Sequence, residues 1–301
     1  MKFPKKILIT GSSGFVGSNL CDLAKKNGFE VHTLDIKKNN GIIGDIRTIN
    51  WKEVNLKNMD AVVHLAAKIS VIESINDSKT YNEVNVKATE RLFQACRDAK
   101  VRKIIFASSA AVYGKSQNKI KVVGEEGRLA SPYALTKMKG EEIANKLETN
   151  DSNFISIRLF NIYGPGQEVK GPYSSAIPLF IHKILNGDII KIYGDGNQTR
   201  DFIHVKDVCS TILSLIDSEI KLSKTINLGS GNGISINKLL RIIIKIFENE
   251  GIDIPNINYE NERIGDVRHS IADVNELIEY VDLNDFVKIE DGLYNLVTGK
   301  K

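Results

Sequence analysis

Residues 6–17 read KILITGSSGFVG. An apolar run, KILIT (6–10), gives way to three glycines, Gly11, Gly14 and Gly17, each separated by two other residues. A short apolar run that stops at glycine reads as a buried strand, and the amphipathic stretch from Phe15 to Lys26 reads as a helix. A glycine-rich turn between strand and helix brings backbone N–H groups close to a pyrophosphate, where the helix dipole also favours an anion. Alone, the pattern equally describes a tight turn with close helix–strand packing. Asp35 adds context. It ends the next strand, EVHTLD (30–35), about twenty residues on, where a carboxylate can accept from adenosine ribose hydroxyls and repels a 2′-phosphate. These residues predict a site for NAD rather than NADP.

The same alternation continues outward. DAVVHLAA (60–67), KIIFASS (103–109) and FISIRLF (154–160) read as strands, with a long helix over about 78–97 and another from Pro132, a residue suited to a first helical turn. Strands alternating with helices predict an α/β fold, a Rossmann-like, doubly wound parallel sheet covered on both faces. After Asn161 the texture changes. NIYGPGQEVKGPY (161–173) reads as a loop, and less regular elements follow near 175–186, 205–217 and 235–248. The expected organisation is a dinucleotide-binding lobe over 1–160 and a smaller, partly interleaved substrate lobe over 161–301.

The totals narrow the class. In 301 residues, 42% are hydrophobic and 26% charged, with a net charge of +4. That is the composition of a globular protein, with no basic block that would read as a nucleic-acid surface. Three cysteines, Cys21, Cys96 and Cys209, show no CxxC spacing, so they read as buried thiols rather than disulfides or zinc ligands. No cluster suggests a metal. The start, MKFPKKILITGSSG, is too short for a signal peptide or a membrane span, and the expected location is the cytoplasm.

Residues 131–137, SPYALTK, place Tyr133 and Lys137 four apart, on one helix face and about 6 Å from each other. A free tyrosine, with a pKa of about 10, is a poor base at neutral pH. A neighbouring ammonium or a nicotinium ring would favour the phenolate. By itself such a pair also describes an aromatic beside a solvated lysine.

Together, these motifs resemble the extended branch of the short-chain dehydrogenase/reductase superfamily, whose turn is spaced GxxGxxG. That resemblance implies roles for further residues. GDIR (44–47) supplies Asp45 and Ile46 beside the adenine. HLAA (64–67) supplies Leu65, Ala66 and Ala67 beneath the cofactor, with Phe15, Val16, Asn85 and Phe160 on the same side. Ser109, in SSAAVYG (108–114), joins Tyr133 and Lys137 as the catalytic set, with Ser108 as the other candidate. His64 and His204 read as structural. RLFNIYGPGQ (158–167) supplies Asn161 for a diphosphate, and IYGDGNQTRDFIHV (192–205) supplies Tyr193 near a base and Arg200 on a phosphate. ERIGDVRHS (262–270) supplies Arg263, Asp266 on a ribose hydroxyl, and Ser270. Ser70 is a further sugar contact.

The resemblance is to the UDP-glucose 4-epimerase family, with features of its UDP-N-acetylglucosamine 4-epimerase type. Ser270 stands where galactose-restricted members carry a bulky tyrosine beside carbon 2 of the sugar. Ala110 and Ala111 stand where dehydratases and decarboxylases carry acids, which argues against those reactions. The resemblance implies a UDP-sugar substrate, NAD retained through the cycle, and a homodimer formed by the helices near 78–97 and 132–148. A UDP-glucuronate 4-epimerase, a 4-keto-sugar reductase, a dehydratase or decarboxylase, and an NAD-binding protein without activity remain as alternatives. One residue departs from the pattern: Lys68 follows HLAA where a smaller or uncharged side chain is expected. It could touch sugar, cofactor phosphate or solvent.

Overall fold

A computed structural model describes residues 5–37, 40–169, 175–219, 224–262 and 267–299. The first strand, β1 (Lys6–Thr10), runs into helix α1 (Phe15–Lys26), followed by β2 (Glu30–Asp35), β3 (Ile42–Ile43) and β4 (Ala61–His64). Two short helices, α2 (Val71–Asn76) and α3 (Ser78–Asn82), lead to α4 (Thr89–Asp98) and β5 (Lys103–Ser109). Then come β6 (Ile120–Lys121), α5 (Pro132–Leu147), β7 (Asn153–Leu159) and β8 (Asn161–Tyr163). Beyond them lie α6 (Ala176–Leu185), β9 (Ile190–Tyr193), β10 (Thr199–His204), α7 (Val205–Asp217) and β11 (Lys224–Leu228). The chain ends with β12 (Gly233–Ser235), α8 (Ile236–Asn249), β13 (Ile257–Glu260), β14 (His269–Ala272) and α9 (Ile289–Thr298).

Seven strands form the main sheet in the order β11-β7-β5-β4-β1-β2-β3, every neighbouring pair parallel. Side chains alternate across a strand, so β1 feeds both faces. Ile7 and Ile9 pack with Leu20 of α1 and Val208 of α7, whereas Leu8 packs with Leu92 of α4, Phe106 and Ala144 of α5. The continuous apolar run KILIT thus marks a strand buried on both sides. Strand order reverses beside β1, between β2 and β4, and a crevice at the carboxyl ends of the strands opens at such a point.

A second sheet, β12-β10-β14-β6 with β8 paired to β10, draws on the second half except for β6 (120–121), and β9 and β13 form a separate ribbon. The core of the second half joins Phe180, Ile190, Leu239 and Ile243. The main sheet nevertheless takes its edge strand, β11, from residues 224–228, well past the boundary expected at 160.

The helix expected over 78–97 differs in detail. Residues Glu83–Ala88 form a π turn between α3 and α4. Asn85 lies in that wider turn and is buried. Its side chain brackets Lys68, accepting from the Lys68 N–H (2.9 Å) and donating to its carbonyl (2.9 Å). It also donates to Thr136 Oγ1 on α5, at 3.1 Å. An inserted residue of this kind shifts which face points inward without breaking the apolar rhythm, which is why periodicity reads one continuous helix.

Candidate active site

The turn after β1 is built around its glycines. Gly11 has φ +71°, and a Cβ there would lie 2.6 Å from the Ala66 nitrogen. A Cβ on Gly17 would lie 2.1 Å from the Gly11 carbonyl oxygen. Gly14 caps α1 with no side chain, leaving the helix N-terminus open over Phe15 and Val16. Leu65, Ala66 and Ala67 pass beside this turn, with the Leu65 N–H on the Thr10 carbonyl and the Ala66 N–H on Thr10 Oγ1. Asp35 is buried at the end of β2 and accepts from the Ser13 and Lys37 N–H groups, both at 2.9 Å. A carboxylate has about four acceptor positions, so these bonds leave room for a ribose hydroxyl. A backbone cradle that side chains would fill, an uncapped helix N-terminus and an acid at the next strand end fit a dinucleotide pyrophosphate and ribose.

Gly17→Ala is expected to collapse this cradle, because the atoms it would meet are backbone and cannot swing aside. A loss of about 1–3 kcal/mol in stability, with weakened NAD binding, should appear in thermal unfolding and in a calorimetric NAD titration. Wild-type values in both would contradict the close packing.

Three further residues expected beside the cofactor are Asp45, Ile46 and Phe160. Asp45 is held by Arg47 (2.6 Å), whose hydrogen bond is the main cause of its lowered pKa, while Ile46 is buried beside it. Phe160 is buried with Val112, Tyr113 and Ala272.

Tyr133, Lys137 and Ser109 come together where α5 crosses the end of β5. Ser131 caps α5 by accepting from the Ala134 N–H at 3.1 Å, and Pro132 opens its first turn. The Tyr133 N–H donates to Ser74 Oγ of α2, at 3.1 Å. The tyrosine ring and Lys137 are both buried. Lys137 Nζ donates to the Ala107 carbonyl at 2.7 Å and lies 5.0 Å from the centre of the Phe106 ring. Ser109 Oγ accepts from the Ala111 N–H at 3.1 Å, and its hydroxyl lies near enough to the Tyr133 side chain to favour the ionised form.

Burial pushes the Tyr133 pKa up, and the nearby Ser109 hydroxyl only partly opposes it. Burial also pushes Lys137 down to about 8, against the pull of the Glu141 carboxylate. This departs from the expectation that the lysine lowers the tyrosine pKa. Burial is the first cause for both groups. His64 is buried, with its two ring nitrogens on Thr10 Oγ1 (2.7 Å) and Thr89 Oγ1 (2.9 Å), and burial pushes its pKa down to about 3. It is a neutral, fully satisfied histidine.

Three of the expected substrate residues lie on neighbouring strands of the second sheet. Asn161 pairs with Phe202, and Arg200 pairs with Ser270 across β10 and β14. Arg200 Nη1 donates to the Thr199 carbonyl at 2.8 Å. Tyr193 closes β9, where its carbonyl accepts from Gln198 Nε2 at 2.8 Å. Ser70 caps α2, accepting from the Glu73 N–H at 3.2 Å. Arg263 and Asp266 lie outside the described residues.

Sequence reading missed a buried polar network behind the trio. Glu141 accepts from Arg158 Nε (3.0 Å) and Nη2 (2.7 Å) and from Ser108 Oγ, while Arg158 also pairs with Glu126 and lies 4.8 Å from the Tyr113 ring centre. Two signals were present: Glu141 follows Lys137 by one helical turn, and an arginine interrupts the apolar strand FISIRLF.

A glycine cradle at the switch of an open parallel sheet, with a buried tyrosine and lysine and a half-buried serine beside it, belongs to dinucleotide-dependent enzymes. Residues 7–229 match the NAD dependent epimerase/dehydratase family, and the chain belongs to that family, whose cofactor is NAD. A UDP-glucose 4-epimerase of Mycoplasma genitalium is 31% identical, over 80% of this chain and 81% of the relative. A UDP-N-acetyl-alpha-D-glucosaminuronate decarboxylase of Bacillus cytotoxicus is 30% identical, over 96% and 95%. The solved structure of a UDP-N-acetylglucosamine 4-epimerase from Methanobrevibacter ruminantium M1, in complex with UDP-N-acetylmuramic acid, is 34% identical with a TM-score of 0.90, covering 99% of this chain and 98% of that one. No helix among the described residues is long and apolar enough to cross a membrane.

Proposed function

We propose that the protein inverts carbon 4 of a UDP-sugar. The supporting observation is the buried Tyr133 ring set beside Ser109 at the end of β5, with Ala110 and Ala111 following the serine at once. A base is in place, and no acid stands after the serine for dehydration or decarboxylation. Tyr133, as phenolate, takes the proton of the 4-hydroxyl, and Ser109 orients that hydroxyl. Bound NAD supplies reversible hydride acceptance. The flat 4-keto sugar then turns about its diphosphate link, and Tyr133 returns the proton once the opposite face is presented. Arg200 and Asn161 hold the diphosphate while the sugar turns, with Arg263 as a second cation, Asp266 on the ribose and Tyr193 near the base. Guanidinium suits this task because it binds phosphate in a fork. Lys137, anchored on Ala107, orients the nicotinamide ribose. The protein works as a homodimer in the cytoplasm.

Incubation with UDP-glucose and with UDP-N-acetylglucosamine, with and without added NAD, tests the reading. Conversion to the galacto sugars without net reduction of NAD is expected. Stoichiometric consumption of NADH with a 4-keto sugar would point instead to a reductase. Ser270→Tyr is expected to lower kcat/KM for the acetamido sugar at least about tenfold more than for the hexose, through roughly 1.4 kcal/mol of steric conflict. Equal effects on both would remove Ser270 from the sugar pocket.

A further inference from the structure

Helix α2 reverses the usual pattern of burial. Its one buried residue is Ser74, which is wholly shielded from solvent, while Val71, Ile72 and Ile75 are 44%, 39% and 63% exposed. A helix of this composition gains more by turning its apolar residues inward and its serine to water. Where a local preference is overridden in this way, some other constraint decides the packing. Here that constraint is a hydrogen bond: Ser74 Oγ accepts from the Tyr133 N–H at 3.1 Å.

The first turn of α5 explains why the bond is needed. The opening N–H groups of a helix have no partner within it. Pro132 has no N–H to place. The Ser131 side chain takes the Ala134 N–H, and its carbonyl takes the Leu135 N–H, both at 3.1 Å. The N–H of Tyr133 is left, in the interior, with no acceptor from its own helix. Ser74 supplies one from another element. Its hydroxyl hydrogen goes to the Val71 carbonyl, so the oxygen turns its lone pairs to Tyr133. The same short helix also reaches the ring. Glu73, which holds the Lys68 ammonium at 3.1 Å, accepts from the Tyr81 hydroxyl at 2.9 Å. The Tyr81 ring stands edge-on to that of Tyr133, with centroids 6.5 Å apart.

We propose that Ser74 is a positioning residue: by capping the Tyr133 N–H from α2 it fixes the first turn of α5 and holds the tyrosine oxygen beside Ser109. The proposal rests on the reading of Tyr133 as the base and adds what aims it. Without this acceptor a buried N–H must find another partner, and the first turn of α5 shifts to reach one. Tyr133 belongs to that turn, and a shift of about 1 Å between positioned groups can cost a hundredfold in rate.

Ser74→Ala tests this, since it removes the acceptor and keeps a good helix former. On the UDP-sugar that the wild type converts, kcat should fall at least about tenfold, with KM and NAD affinity within about twofold of wild type. In a Tyr133→Phe background the same substitution should cost nothing further, because the oxygen that Ser74 aims is gone. The rise of rate with pH should also move to higher pH in Ser74→Ala, because the nearby Ser109 hydroxyl is what favours the ionised tyrosine against burial. A purely structural role predicts equal losses in both backgrounds and a profile lowered at every pH without displacement. Either of those results overturns the proposal, as does near-normal turnover in Ser74→Ala. If the wild type interconverts no sugar, the epimerase reading fails, and ultraviolet titration of the NAD complex decides on Ser74. The Tyr133 ionisation, isolated as the difference from Tyr133→Phe, should then lie at higher pH in Ser74→Ala, and an unmoved ionisation overturns the proposal.

Discussion

Tyr133→Phe is expected to lose at least about a hundredfold in turnover, the lower range for a positioned acid–base group, while retaining its fold and its NAD affinity. The substitution removes one oxygen. The ring stays buried, edge-on to Tyr81, and the N–H bond to Ser74 is unaffected. The lost oxygen is the one that lies nearest Ser109 and, in the proposed reaction, takes the proton. With burial pushing the tyrosine pKa up, the protein by itself holds a phenol at neutral pH. The Lys137 ammonium lies 6.0 Å from the Tyr133 ring centre, and burial prevails nonetheless. A positive nicotinamide ring would add charge that favours the phenolate. The rate of the wild type should therefore rise with pH through the tyrosine pKa of the ternary complex, since only the deprotonated form accepts the proton. In Tyr133→Phe that rise should be absent from the pH–rate profile. Near-normal turnover would remove Tyr133 as the base, and an unchanged pH profile would assign the limb to another group.

The parts of this site that local rules govern were legible in the sequence. KILIT buried on both faces, the glycines that admit backbone at Gly11 and Gly17, and the four-residue spacing of Tyr133 and Lys137 each follow from a repeat distance or a steric limit. What was not legible depends on partners far along the chain. Strand β11 completes the sheet from residues 224–228, and nothing in its five residues names β7 as its neighbour. The π turn at Glu83–Ala88 exists because Asn85 has a backbone to grip at Lys68 and a hydroxyl at Thr136, contacts 17 and 51 residues away. The direction of the Tyr133 pKa is set by burial of its ring, and the spacing fixes only that tyrosine and lysine share a helix face. Arg200 and Ser270, read from separate motifs, become neighbours only through the pairing of β10 with β14.

The largest expected effect on stability lies in the network that these local rules passed over. Arg158 is 3% exposed and Glu141 4%. Two charges removed this far from water are tolerated because each satisfies the other, through a two-point pair between Arg158 and Glu141, with Ser108 and Glu126 completing the shell. Removing Arg158 strands Glu141 and removing Glu141 leaves Arg158 with Glu126 alone, and breaking a buried pair in this way costs about 3–5 kcal/mol. Arg158→Met and Glu141→Leu should each lower stability by that amount in denaturant unfolding. The double variant should recover most of it, because well-packed apolar side chains can replace a buried pair without a net penalty. The pair also ties α5 to β5 and β7, since Glu141 lies one turn beyond Lys137 and Ser108 immediately precedes Ser109. The double variant is thus expected to fold yet turn over slowly, as a displacement of about 1 Å between positioned groups can cost a hundredfold. Additive losses in the double variant would show that Glu141 and Arg158 do not compensate each other. Full turnover in it would show that α5 is held in register by its apolar contacts alone.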